Sequence, residues 1–278
     1  MTEYQHIIVD TPLESVSRIT LNRPDSRNAL NNVLRGEIYS TLEANDNNDA
    51  IRVTIIRGAG QAFCAGYDLK GNSDEDRPFH TAGGDGSWAR HVVEGAFRVW
   101  DLAKPVIAQV HGYCLAGGTE LATSCDLVYV AEDAKIGYPV VRSMSPPDNQ
   151  FFPWVVGMRN AMEMMLTGDA ISGTDAANYG FANRAFPVDE LEAEVMKVAA
   201  KIAKIPPDIE QMNKRAVHRQ MDLMGMRAAI RQGTEIQALA FHTTSTRAHF
   251  KELAGGLTDA LSKRDGKFGD YRTSGKED

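Results

Sequence analysis

Apolar positions along the chain alternate between two periods. SRITLN, around residue 20, and RVTIIRG, around residue 55, are rich in β-branched residues and too short for helices, so both read as strands. Between them NNVLRGEIYSTLEAN places Val33, Leu34, Ile38 and Leu42 at helical spacing on one face. The same alternation returns further on. A helix over about 88–103 aligns Val93, Phe97 and Trp100, and it is followed by a strand PVIAQV, a short helix GTELATSC and a strand LVYVA. The pattern predicts an α/β architecture with largely buried strands. From Pro206 onward it changes to helix after helix, and the Pro206-Pro207 pair punctuates the change. We therefore expect a core region over 1–205 and a helical region over 206–278.

Residues 71–87, GNSDEDRPFHTAGGDGS, are polar, glycine-rich and aperiodic, and read as a mobile surface loop. The tail GKFGDYRTSGKED is expected to be loose at its end. With 43% apolar and 24% charged residues among 278, the chain can bury a sizeable core. A formal net charge of -7 offers no basic stripe for nucleic acid and no cationic face for an anionic membrane. Cys64, Cys114 and Cys125 form no CxxC pair and have no histidine at ligand spacing, so they read as buried thiols in a reducing compartment. No His, Asp and Glu spacing suits a metal. The first residues, MTEYQHIIVD, lack a charged segment followed by an apolar one, and no run of 18 uncharged apolar residues occurs; the expectation is a soluble, cytoplasmic protein.

Two glycine-bearing turns carry the candidate chemistry. GQAFCAGYDLK (60–70) follows the strand RVTIIRG, and HGYCLAGGTE follows PVIAQV and opens a helix. Glycines let the backbone turn sharply and bare its N–H groups, and a helix N-terminus adds partial positive charge. Each turn can present one donor to a developing anion, and two donors make an oxyanion hole. Neither turn matches GxGxxG or the lysine-bearing phosphate loop.

Taken together, AFCAGYDL and HGYCLAGGTELATSCDLVYV, with NRPDSRNALN upstream and MLTGDAISGTDAANYGFANRAFP downstream, resemble the crotonase (enoyl-CoA hydratase/isomerase) superfamily over nearly the whole chain. The resemblance implies a spiral of ββα units, a C-terminal helical region used for trimerisation, a homotrimer or dimer of trimers, and a coenzyme A thioester as substrate with no separate cofactor. By motif position it implies that the backbone N–H groups of Tyr67 and Gly117 hold the thioester oxygen and that Glu120 is the first catalytic carboxylate. An acid early in a short apolar helix is raised in pKa by desolvation and lowered by the helix N-terminus, which can poise it as a base. For coenzyme A the resemblance points to Arg27, Ala29, Ala65, Asp68, Leu69 and Lys70, and to Phe268 of a neighbouring subunit at the adenine.

The chain departs from the hydratase pattern at one position. Where two-glutamate hydratases carry GxPE, it reads Gly137-Tyr138-Pro139-Val140. Valine neither holds nor protonates water. Eight residues on, SPPDNQ supplies Asp148, an offset resembling crotonases that use an aspartate, such as dienoyl-CoA isomerases and dehalogenases; the dehalogenase tryptophan has Val140 in its place. His80 and His91 are expected to be solvated, and His111 to serve backbone geometry. The expected function is an acyl-CoA enzyme of the hydratase/isomerase type. The alternatives are a hydrolase or carbon–carbon lyase using Asp148, or an acyl-CoA-binding paralogue without turnover, with an RNA binder disfavoured by the charge.

Overall fold

The structure is a computed structural model that describes residues 4–70 and 87–271. Strand β1 (Ile7–Leu13) folds back antiparallel onto β2 (Val16–Leu21). From β2 the sheet continues in parallel through β3 (Val53–Gly58), β5 (Val106–Val110), β7 (Leu127–Ala131) and β10 (Arg184–Phe186). All five residues of β5 are buried, as expected for a parallel strand covered on both faces. The four strands read from the sequence all belong to this sheet.

A second sheet runs beside it in the order β4 (Ala62–Cys64), β6 (Tyr113–Leu115), β8 (Lys135–Gly137), β9 (Ile171–Ser172). Its first three strands are parallel and the last antiparallel. The pattern predicts none of these strands, because two or three residues carry too few positions to show a period. From β3 to β8 each turn of the chain gives one strand to the large sheet and one to the small, and then a helix. The series runs β3–β4–α2 (Ser87–Trp100), then β5–β6–α3 (Gly117–Ser124), then β7–β8 followed by α4 (Phe152–Val155) and α5 (Gly157–Thr167). This is the implied spiral of ββα units.

Helix α1 (Asn32–Asp46) starts where the Asn31 side chain accepts the Leu34 N–H, and it buries Leu34, Ile38 and Leu42 as the spacing predicts. Val33 is half-buried, and Arg35 is buried beside the apolar face instead. Helix α2 ends three residues before the expected position: the Asp46 carboxylate takes the N–H groups of Ala103 and Lys104, and the residue before Pro105 is driven from helical backbone. After α6 (Gly173–Tyr179) and α7 (Leu191–Ile202), four helices follow Pro206. They are α8 (Pro207–Leu223), α9 (Met226–Ala240), α10 (Thr244–Gly255) and α11 (Leu257–Asp265). Met226 and Ile230 of α9 pack on Val93 and Phe97 of α2.

The three cysteines are buried and free, and burial pushes the Cys64 thiol up to about 12. Among the described residues no helix is long and apolar enough to cross a membrane. The expected mobile loop, His80 within it, and the end of the tail lie outside the described residues, save Ser87, which opens α2.

Candidate active site

Strands β4, β6 and β8 end side by side, and the chain leaves them through Ala65–Asp68, Ala116–Gly117 and Tyr138–Val140. Ligands bind outside the carboxyl ends of parallel strands in open α/β sheets. A cavity of about 380 Å³ lies there, lined in part by Ala65, Tyr67, Ala116, Tyr138, Val140 and Asp148.

The upstream motif NRPDSRNALN braces the first turn. Asn28, fully buried with φ 56°, donates to the carbonyls of Ala59 and Ala62 and accepts the Arg23 N–H. Asparagine tolerates this left-handed backbone. Leu30 then clamps the turn on both sides of Tyr67: its N–H donates to Gly66 O at 2.8 Å and its carbonyl accepts from Asp68 N at 3.1 Å. The Tyr67 N–H therefore points the opposite way, as alternation along an extended chain requires.

In the second turn Ala116 stands at φ 49°, ψ -121°, a strained conformation for a residue with a side chain, held by its N–H on Gly137 O. Gly117 follows as the first residue of α3, where an N–H has no partner within the helix. A Cβ on Gly117 would stand 2.7–2.9 Å from the Tyr67 ring, and one on Gly66 would stand 2.9 Å from Ala116 Cβ and 3.4 Å from Gly117 N. Glycine is needed at both positions for the two turns to abut.

The two carboxyls differ sharply. Glu120, 1% exposed, has both oxygens saturated by four donors. Oε1 accepts from Tyr138 OH at 2.8 Å and the Asp148 N–H at 2.9 Å; Oε2 accepts from Tyr67 OH at 2.7 Å and Asn149 Nδ2 at 3.0 Å. Burial raises its pKa, and these hydrogen bonds oppose the rise by favouring the carboxylate. Glu120 does not line the cavity and sits in a packed interior with Leu30, Arg35, Gly117 and Asn149.

Asp148, 4% exposed, does line the cavity, and its Oδ1 has no partner. Burial first and the Glu120 charge second push its pKa well above the usual carboxylate range, against the Arg35 charge and a hydrogen bond from Trp88. The Tyr67 and Tyr138 hydroxyls are pushed well up by burial and by the adjacent acids, so both stay protonated donors. Burial thus raises both carboxyls, but only at Glu120 do four hydrogen bonds oppose it, while at Asp148 the neighbouring acid adds to it.

Of the remaining expected residues, Arg27, Asp68 and Leu69 line the cavity with Ala65, whereas Ala29 and Lys70 do not. Arg23 pairs with Asp68 at 2.9 Å. Phe268, 51% exposed, stacks on the guanidinium of Arg142 in its own chain at 3.9 Å. His111 Nε2 donates to Gly60 O at 2.9 Å. His91 corrects the expectation of a solvated ring: it is fully buried, and its Nε2 accepts from Arg35 Nη1 at 2.8 Å. The Arg35 guanidinium lies over the Tyr67 and Trp88 rings at 5.7 and 5.4 Å, and its charge acts on Asp148 and Tyr67. The sequence reading missed Arg35, Trp88, Asn149 and the hydroxyls of Tyr67 and Tyr138. Nothing in the local sequence sets these five residues apart.

Residues 12–271 match the family described as enoyl-CoA hydratase/isomerase. EchA13 of Mycobacterium tuberculosis is 34% identical, with 91% of this chain and 84% of that protein covered. The mitochondrial enoyl-CoA hydratase of Pongo abelii is 31% identical over 92% of this chain and 84% of its own length. Among solved structures, an enoyl-CoA hydratase/isomerase from Xanthobacter autotrophicus Py2 superposes with a TM-score of 0.86 at 35% identity, covering 95% of this chain and 99% of its own.

Proposed function

The chain belongs to the enoyl-CoA hydratase/isomerase family, and from that premise we propose that it is an enzyme of acyl-CoA thioesters that moves protons beside the thioester carbonyl through Asp148. The N–H groups of Tyr67 and Gly117 take the carbonyl oxygen and its charge as the enolate forms. Asp148 carries the proton, and its burial beside Glu120 raises its basicity. The observation behind this reading is that Glu120 has no lone pair left to offer, while Asp148 lines the cavity with an unpaired oxygen.

A double-bond shift needs a single carrier: Asp148 removes a proton from one carbon flanking the unsaturation, the electron pair moves onto the thioester oxygen, and the proton returns at the far carbon. Hydration by two acids needs a second one, and Val140 lines the cavity in its place. Double-bond isomerisation is therefore favoured over hydration. Coenzyme A enters as part of the substrate along Arg27, Ala65, Asp68 and Leu69, flanked by Ala29 and Lys70, with Phe268 of a neighbouring subunit at the adenine. The assembly is a homotrimer or dimer of trimers, built through the outward Met212 and Val217 of α8 and Ile236 and Leu239 of α9, all exposed in the single chain.

The test is to incubate the protein with 2-enoyl, 3-enoyl and dienoyl thioesters and follow products by mass and absorbance. Interconversion without mass change, at least about tenfold faster than addition of water, is the expected result. Hydration as the fastest reaction refutes it, release of free coenzyme A favours the hydrolase reading, a shortened acyl thioester with loss of a carbon fragment favours the carbon–carbon lyase reading, and binding without turnover favours the acyl-CoA-binding paralogue.

A further inference from the structure

Most of the cavity wall is aromatic or aliphatic, including Tyr113, Leu115, Val140, Met144, Phe241 and Phe250. Buried polar side chains interrupt it, Gln237 and Ser145 among them. Gln237 projects from α9 and is 1% exposed; Ser145, 6% exposed, lies on the segment that also carries Asp148. Gln237 Nε2 stands 3.5 Å from Ser145 Oγ, and Gln237 Oε1 has no hydrogen-bond partner. Turning the amide over exchanges its two ends and still leaves one of them unpaired. The site is braced: Thr246 of α10 donates from its hydroxyl to the Met144 carbonyl at 2.6 Å, fixing the backbone next to Ser145.

A buried amide end without a partner costs about 1–3 kcal/mol, and a leucine or methionine at position 237 would fill the wall without that cost. We propose that Gln237 and Ser145 form a subsite for a hydroxyl on the acyl group, so that the substrates are hydroxylated acyl-CoA thioesters. A hydroxyl carries one donor and two acceptor sites, so it satisfies the free amide end in either orientation and still engages Ser145 Oγ. A ketone only accepts, so it pairs the free end only when that end is the NH2, whereas a hydroxyl pairs it in both orientations. An anionic group would meet the cavity's own carboxyls, and the nearby Arg264 guanidinium is already engaged by Asp265 at 2.7 and 3.0 Å.

This inference rests on the acyl-CoA reading, and the experiment separates the two. Octanoyl-CoA and its derivatives carrying one hydroxyl, moved carbon by carbon from C4 to C8, are titrated calorimetrically into the wild-type protein and into Gln237→Leu. At least one hydroxylated thioester binds the wild type about tenfold more tightly than octanoyl-CoA, and that advantage falls to about twofold or less in Gln237→Leu. Octanoyl-CoA titrated into each protein is the reference for that protein's own ratio, and a measurable affinity for it in Gln237→Leu reports that the variant is folded. The proposal is overturned if no hydroxylated thioester gains affinity for the wild type, a comparison that needs no variant, or if the gain persists in Gln237→Leu. If octanoyl-CoA and all its derivatives fail to bind, the acyl-CoA reading falls and takes this inference with it.

Discussion

Replacing Glu120 with glutamine tests whether this acid carries the proton or only sets the field for Asp148. The amide keeps one oxygen. Because the Asp148 N–H is a backbone donor and cannot turn, that oxygen stays toward Asp148 N and Tyr138 OH, and the new NH2 faces Tyr67 OH and Asn149. Both neighbours adapt: the Tyr67 hydroxyl rotates to accept, and Asn149 flips to offer Oδ1, which is buried and unpaired in the native protein. All four contacts survive as neutral hydrogen bonds. Each loses about 1 kcal/mol of charge assistance, roughly 4 kcal/mol together, offset by the several kcal/mol no longer spent burying a carboxylate. Folding stability should move by less than about 2 kcal/mol. Burial still raises the Asp148 pKa, but the second cause, repulsion by Glu120, is gone in the variant, so that pKa falls. The assay is kcat/KM against pH with a 3-enoyl thioester. For Glu120→Gln the acid limb should shift to lower pH, with a plateau within about tenfold of wild type. Asp148→Asn should lose about 10²- to 10⁴-fold across the whole range. The reasoning is refuted if Glu120→Gln loses a hundredfold at every pH while Asp148→Asn keeps most of the activity.

The raised pKa of Asp148 also has a consequence for stability: a carboxyl whose folded pKa lies above its unfolded value stabilises the fold below that unfolded value, and the stabilisation is lost as pH rises to the folded pKa. Asp148→Asn should therefore be more stable than wild type at neutral pH, with a gap in urea unfolding that shrinks toward about pH 4; a gap independent of pH contradicts this. Gly117→Ala places a methyl 2.7–2.9 Å from the Tyr67 ring, so it should cost about 1–3 kcal/mol in unfolding free energy and depress turnover; equal stability and activity would show that the turns tolerate separation. Light scattering should find a trimer or hexamer, and a stable monomer at micromolar concentration would remove the role given to the outward faces of α8 and α9.

Local period fixes what a strand or helix must bury, and so β2, β3, β5 and β7, α1 and the helices after Pro206 were legible from apolar spacing alone. The glycine turns were legible too, because φ values and close approaches that only small residues tolerate leave a mark in the sequence itself: Gly66 at φ 109° and Gly117 against a ring are dictated one residue at a time. Nothing local marks a contact made across the chain. The groups that saturate Glu120 come from 53, 18, 28 and 29 residues away, and the hydroxyls of Tyr67 and Tyr138 look in sequence like any half-apolar aromatic. Arg35 reads as the polar face of α1 until α2 brings His91 and Trp88 over it. Gln237 reads as one more helix residue until α9 is laid against the segment carrying Ser145, 92 positions earlier. Which of two carboxyls is saturated and which keeps an unpaired oxygen was decided only by tertiary structure, because burial and hydrogen-bond count belong to the neighbours that folding assembles and not to the acid itself.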